Sequence, residues 1–155
     1  MTGTLAPAGC CHYEMEIAIN APRERVWKAI FDEVESWWLP DFHVMGPDSK
    51  VTFDPQPGGS GLLEVTEQGG GLLWYSSQMY LPEQFKIYLI GHVAPEWGGP
   101  CTSSLGLSLE ESESGTIFKL VDSRHGKIDD QHVKSNEDGW TQLFTNGLKA
   151  YVEAN

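Results

Sequence analysis

The side chains able to do chemistry in this 155-residue chain are few and scattered. Five histidines, His12, His43, His92, His125 and His132, stand apart, and none falls in an H-E-x-x-H or comparable metal-binding pattern. Asp129-Asp130-Gln131-His132 gathers carboxylates and an imidazole in one short run, but its polar surroundings read as a solvated turn. His92 sits near the end of an apolar alternating segment, beside a loop that carries Trp97. If it faces a cavity, it is placed to exchange a proton near neutral pH. The three cysteines, Cys10, Cys11 and Cys101, form no C-x-x-C pair. Cys101 follows Gly98-Gly99-Pro100, in a loop expected to lie over the same region. There is no G-x-S-x-G elbow, and Gly69-Gly70-Gly71 lacks the Gly-Lys-Ser/Thr of a phosphate loop. Glu64, Glu67, Glu110 and Glu111 fall on strands or their ends without a pairing that argues acid–base work. The sequence therefore predicts no catalytic residue, no metal site and no cofactor.

The aromatic residues carry a stronger signal. Trp37, Trp38, Trp74, Tyr88, Trp97, Phe118, Trp140 and Phe144, together with His92, fall on elements that would surround a space between a sheet and a final helix. Aromatic walls with an occasional polar handle are what a small-molecule site needs. Each of these side chains would serve equally well as plain core filling.

The elements that must position them follow from periodicity. Tyr13, Met15, Ile17 and Ile19 alternate with polar neighbours and predict a strand. Asn20-Ala21-Pro22 then opens a helix, with Asn20 as its cap and Pro22 in the first turn. Val26, Trp27, Ile30, Phe31 and Val34 form that helix's apolar stripe, which runs on to Trp37-Trp38-Leu39 and stops at Pro40. Strands are expected over 51–53, 61–67, 72–80, 85–93, 105–109 and 116–122, separated by glycine, proline and polar turns. Such spacing points to an antiparallel meander. The segment 125–138 is polar and reads as a loop. Trp140, Leu143, Phe144, Leu148 and Tyr151 then draw the stripe of a final helix, with Trp140 and Phe144 facing the sheet. Gly147 lies on that stripe and should leave room where a side chain would stand. The expected organisation is a flexible arm over 1–11 and one α+β domain over 12–155.

Composition sets outer bounds. Apolar residues are 40% and charged residues 21%, an ordinary globular balance. The net charge of −12 disfavours nucleic-acid and anionic-membrane partners. No apolar run approaches the roughly 18 residues of a membrane span. The segment 1–11 has neither the basic region nor the apolar core of a secretion signal, and an odd, small cysteine count fits reduced thiols. A cytoplasmic location is the expectation.

Five segments carry a family resemblance: Ile19 to Trp27, Trp37-Trp38, Leu81 to Phe85, Ser114 to Phe118, and Asp138 to Phe144 with Leu148 and Tyr151. In this order and spacing, over His12 to Glu153, the chain resembles the START-like, or SRPBCC, superfamily. It looks closest to the branch related to the C-terminal domain of the activator of the 90-kDa heat-shock protein ATPase. The resemblance implies the helix-grip fold, a curved antiparallel sheet wrapped around a long C-terminal helix. It also implies a hydrophobic cavity that binds a small apolar or aromatic molecule, as a carrier or sensor. Two further activities occur in the superfamily: a polyketide cyclase or aromatase, for which His92, Tyr88 and Tyr75 would be the first residues to inspect, and an interaction module with a protein partner.

Overall fold

A computed structural model describes residues 3–155. The first alternating segment forms strand β1 (Gly9–Ile19). It is followed by helices α1 (Arg23–Asp32) and α2 (Val34–Trp37). Six strands come next: β2 (Lys50–Asp54), β3 (Gly61–Val65), β4 (Gly71–Leu81), β5 (Lys86–Val93), β6 (Cys101–Ser112) and β7 (Gly115–Gly126). Helix α3 (Asp130–Gln142), a π-helical segment (Leu143–Lys149) and α4 (Ala150–Ala154) complete the chain. The residues at both junctions of this last run keep helical φ and ψ, so the three pieces form one continuous rod.

The seven strands make one sheet in the order β1-β7-β6-β5-β4-β3-β2, every pair antiparallel. First and last strands meet, and β2 to β7 form a meander. The closing helix lies on the inner face: Phe144 stands 4.6 Å from Phe118 of β7, and Trp140 stands 6.0 Å from Tyr75 of β4, between ring centroids. This is the α+β helix-grip fold that the resemblance implies.

Four expectations need correction. Gly9, Cys10 and Cys11, assigned to the arm by their lack of pattern, are strand residues, paired with Gly126, His125 and Arg124. Asn20 does not cap α1: Pro22 holds that position without a side-chain bond, and the Asn20 amide instead donates to Glu153 Oε1 at 2.8 Å. The first helix breaks at Glu33, where φ −125° and ψ 20° leave the helical region. Of the polar loop expected over 125–138, only the link 127–129 is non-regular; the rest is the end of β7 and the first turns of α3. Asp129 starts that helix, its carboxylate accepting from the His132 amide at 2.9 Å. These turns lack an apolar stripe: Gln131, Lys134, Ser135, Glu137 and Asp138 are exposed.

Two register breaks shape the inner face of the sheet. Leu62 pairs with Tyr75 and Leu63 with Leu73, so Trp74 is an extra, unpaired residue in β4. A second break leaves Gln78 between the pairs Ser77–Leu89 and Met79–Tyr88. A bulge of this kind shifts which side chains reach a given face. Here it lets consecutive residues, Trp74 and Tyr75, both serve the inner side.

Candidate functional site

Between α3, the inner face of the sheet and the segment after α2 lies a cavity of about 380 Å³. Its aromatic walls are Trp38, Phe42, Trp74, Tyr75, Trp97 and Trp140. Val44, Leu73 and Trp97 line it yet are each about half exposed, so the space opens to solvent through an apolar rim.

Two indoles of the wall are held by fully buried carboxylates. On one side Glu64 of β3 accepts from Trp74 Nε1 at 3.0 Å, from the Val44 and Met45 amides at 3.2 and 2.8 Å, and from Ser49 Oγ at 2.6 Å. One side chain thus ties the bulged tryptophan to the segment that carries the rim residue Val44. Four donors replace the water that burial removes, which is the condition for keeping such a group inside.

On the other side Asp122 of β7 accepts from Trp140 Nε1 at 3.1 Å and Arg124 Nε at 2.8 Å on Oδ2, and from Ser103 Oγ at 2.7 Å on Oδ1. Tyr75 OH lies 2.8 Å from Ser103 Oγ. An ionised carboxylate only accepts, so the Ser103 proton points to Asp122 and Tyr75 donates to Ser103. The floor of the cavity is therefore an ordered chain from Tyr75 to Ser103 to Asp122. Burial pushes the Tyr75 phenol up to about 12, and the Arg124 charge offsets part of that rise. It keeps its proton at neutral pH and presents its oxygen lone pair as an acceptor.

Of the residues expected to bind ligand, Trp38, Trp74, His92, Trp97 and Trp140 border this cavity. His92 does so at the exposed rim, with Nδ1 3.2 Å from Thr102 Oγ1. Trp37, Phe118 and Phe144 are packed in the closed core beyond it, where Trp37 and Phe144 stand 5.9 Å apart. Tyr88 is on the wrong side. It shares the outward parity of Lys86 in β5, borders a groove of about 430 Å³ on the outer face of the sheet, and is 44% exposed. Cys101 opens β6 rather than a covering loop, and it lines a smaller hollow next to the cavity.

The polar floor, Ser103, Asp122 and Arg124, was missed, as was Glu64's anchoring role. Its signal was in the sequence. Thr116, Phe118 and Leu120 share a face, and continuing the alternation by two steps puts Asp122 and Arg124 on that same buried face. Two opposite charges at i and i+2 on a core-facing strand imply a buried pair.

With the geometry in place, similarity to known proteins fixes the family. Residues 20–153 match the family described as Activator of Hsp90 ATPase homolog 1-like protein. The chain belongs to this family. Its fold recurs in protein CV1439 from Chromobacterium violaceum, with TM-score 0.67, 21% identity, and coverage of 92% of this chain and 96% of that one. It recurs in protein MLL2253 from Mesorhizobium loti, with TM-score 0.65, 18% identity, and coverage of 94% and 98%. Ara h 8.0201 superimposes with TM-score 0.66 at 17% identity, covering 95% of this chain and all 100% of its own. At such identities these likenesses establish the helix-grip fold and nothing beyond it. No protein with a curated description matches the sequence. Among the described residues no helix is long and apolar enough to cross a membrane.

Proposed function

We propose that this Activator of Hsp90 ATPase homolog 1-like chain binds a small apolar or aromatic molecule noncovalently, as a carrier or sensor. The observation that carries the reading is the open cavity of about 380 Å³, walled by six aromatic residues and reached through an apolar rim. That volume is in the range of small-molecule sites, which run from about 300 to 1,000 Å³. The geometry favours binding over proton-transfer chemistry. Tyr75, the phenol on the cavity wall, is held protonated by burial and by its place in the Tyr75–Ser103–Asp122 chain, and His92 stands at the rim. A group that catalyses proton transfer at neutral pH needs a pKa near the working pH.

The test uses N-phenyl-1-naphthylamine, a neutral aromatic amine whose emission rises when it leaves water. Saturable enhancement at one site per chain is expected. Trp97→Ala should weaken it and Tyr88→Ala, on the outer face, should not. No saturable signal, or equal loss in both variants, would overturn the proposal.

A further inference from the structure

Among the described residues Arg124 is the one Lys or Arg on the cavity wall, and its side chain is nine-tenths buried. Its Nε is committed to Asp122 Oδ2 at 2.8 Å. Among the described residues, Nη1 and Nη2 have no hydrogen-bond acceptor. They are not sealed in the core either. The buried polar side-chain atoms without a partner belong to Arg23, Arg25, Trp27, Glu33 and Ser112, so the free edge of Arg124 retains access to open space. That space is the cavity and the adjoining hollow of about 100 Å³, both of which Arg124 lines.

We infer that the cavity is built for an apolar or aromatic molecule bearing a carboxylate, whose two oxygens dock on the Nη1–Nη2 edge of Arg124. The inference rests on the binding function proposed above and names its ligand class. Three features point to an anion rather than to a neutral group. First, with Nε occupied, the guanidinium is left with its end-on pair of parallel N–H donors, a spacing that matches the two oxygens of a carboxylate. Second, Asp122 neutralises Arg124 within the protein but cannot compete for that edge. Its two oxygens already accept from Ser103, Trp140 and Arg124 Nε. Third, the adjoining hollow adds the Lys127 ammonium, while His132, which also lines it, is paired through Nδ1 with Asp129 at 2.6 Å. Arg124 and Lys127 thus both border this hollow, in a chain of net charge −12. The Tyr75 oxygen, whose proton goes to Ser103, supplies an acceptor for a hydroxyl or amine on the ligand's apolar body.

The experiment compares two ligands of nearly the same shape, 1-naphthylacetate and its uncharged amide 1-naphthylacetamide, each displacing N-phenyl-1-naphthylamine. In the wild type the acid should bind at least about tenfold more tightly than the amide, the gain expected of a charge-assisted bidentate contact. Arg124→Lys keeps a cation beside Asp122 but loses the fork, and should cut the ratio several-fold. Arg124→Gln should bring it close to one. The wild-type ratio decides even if neither variant folds. Equal affinities for acid and amide in a wild type that binds the naphthylamine refute the carboxylate subsite and leave the cavity function standing. A wild type that binds none of the three refutes both.

Discussion

The closing helix contains two glycines, Gly139 and Gly147, and their surroundings predict opposite responses to the same substitution. In an ordinary helix interior, glycine to alanine stabilises by about 1 kcal/mol through backbone entropy. At Gly139 nothing interferes: an added Cβ would meet only Phe42 Cε1, at 4.0 Å. Gly139→Ala should therefore raise stability by about 1 kcal/mol, or about 2–4 °C in Tm for a chain of this length. At Gly147 the Cβ would stand 2.5 Å from the carbonyl oxygen of Trp37, with Leu39 Cγ and Trp37 Cε3 at 3.5 Å. Neither side can yield by a rotamer change, because one atom is backbone and the other is fixed to it. Trp37 is itself held, its Nε1 donating to the Ala29 carbonyl at 2.7 Å. Moving the π-helical segment away from α2 to relieve the contact is overpacking, which costs roughly 1–3 kcal/mol. Subtracting the helical gain leaves Gly147→Ala less stable than wild type by up to about 2 kcal/mol, a fall of up to about 8 °C. Differential scanning calorimetry on the two variants and the wild type reads both shifts at once. Tm changes of the same sign would refute the reasoning, because they would mean that the helix adjusts freely at Trp37 and that Gly147 is not there for the close approach.

Further consequences can be measured on the same protein. Asp122→Ala removes the acceptor for three buried donors and leaves Arg124 unpaired, so urea unfolding should show a loss of about 3–5 kcal/mol; a loss below about 1 kcal/mol would mean that the floor is wetter than its burial implies. Tyr75, with its folded pKa raised to about 12 against an ordinary 10, favours the folded state fully below about pH 10, and that contribution is lost as pH rises through 12. Stability should accordingly fall over that window, and Tyr75→Phe should flatten the slope. Burial also holds the Tyr13 phenol above its ordinary range, so phenolate absorbance should show at least two of the five tyrosines ionising late; five simultaneous titrations would contradict both assignments. Gly91→Ala would place a methyl 2.7 Å from the Trp74 carbonyl and 2.8 Å from the Tyr75 ring, and it should weaken naphthylamine binding more than the same change at Gly106, where the nearest atom is 3.7 Å away.

Where burial follows a single period, the sequence reads plainly. The stripe Val26, Trp27, Ile30, Phe31 and Val34 is buried throughout, as are Trp140, Leu143, Phe144 and Leu148. Alternation likewise locates every strand, with ends that shift by up to four residues. The same rule, applied to β5, places Tyr88 outside with Lys86 rather than on the cavity wall, and carried past Asp122 in β7 it places Arg124 inside. What alternation cannot show is its own interruption. Trp74 reaches Glu64, and Tyr75 reaches Ser103, only because the β4 bulge adds a residue, and nothing in Leu72-Leu73-Trp74-Tyr75 marks it. Nor does periodicity separate a wall from a core: Trp37 and Trp38 are adjacent and both buried, yet one is packed against Phe144 and the other faces the cavity. That division depends on where α2 ends relative to the closing helix, a tertiary matter. The first turns of α3 are illegible for another reason: most of their residues are exposed, and those that border the cavity, Ser135 and Asn136, are polar, so no apolar face is displayed.

The bulge at Trp74 also bears on how such a site can diversify. Its flanking pairs, Leu62–Tyr75 and Leu63–Leu73, are already in register on either side of the extra residue. Deleting that single position would let β3 and β4 zip without moving any other pair in the sheet, while taking away the indole that Glu64 holds and one wall of the cavity. Restoring a residue there would bring a new side chain inward at the same spot. Length variation by one residue in mid-strand, ordinarily the most disruptive kind because it turns every following side chain over, is here confined to the lining. The lining of the cavity in this architecture is thus open to change by insertion and deletion at a point where the strand pairing on either side is kept.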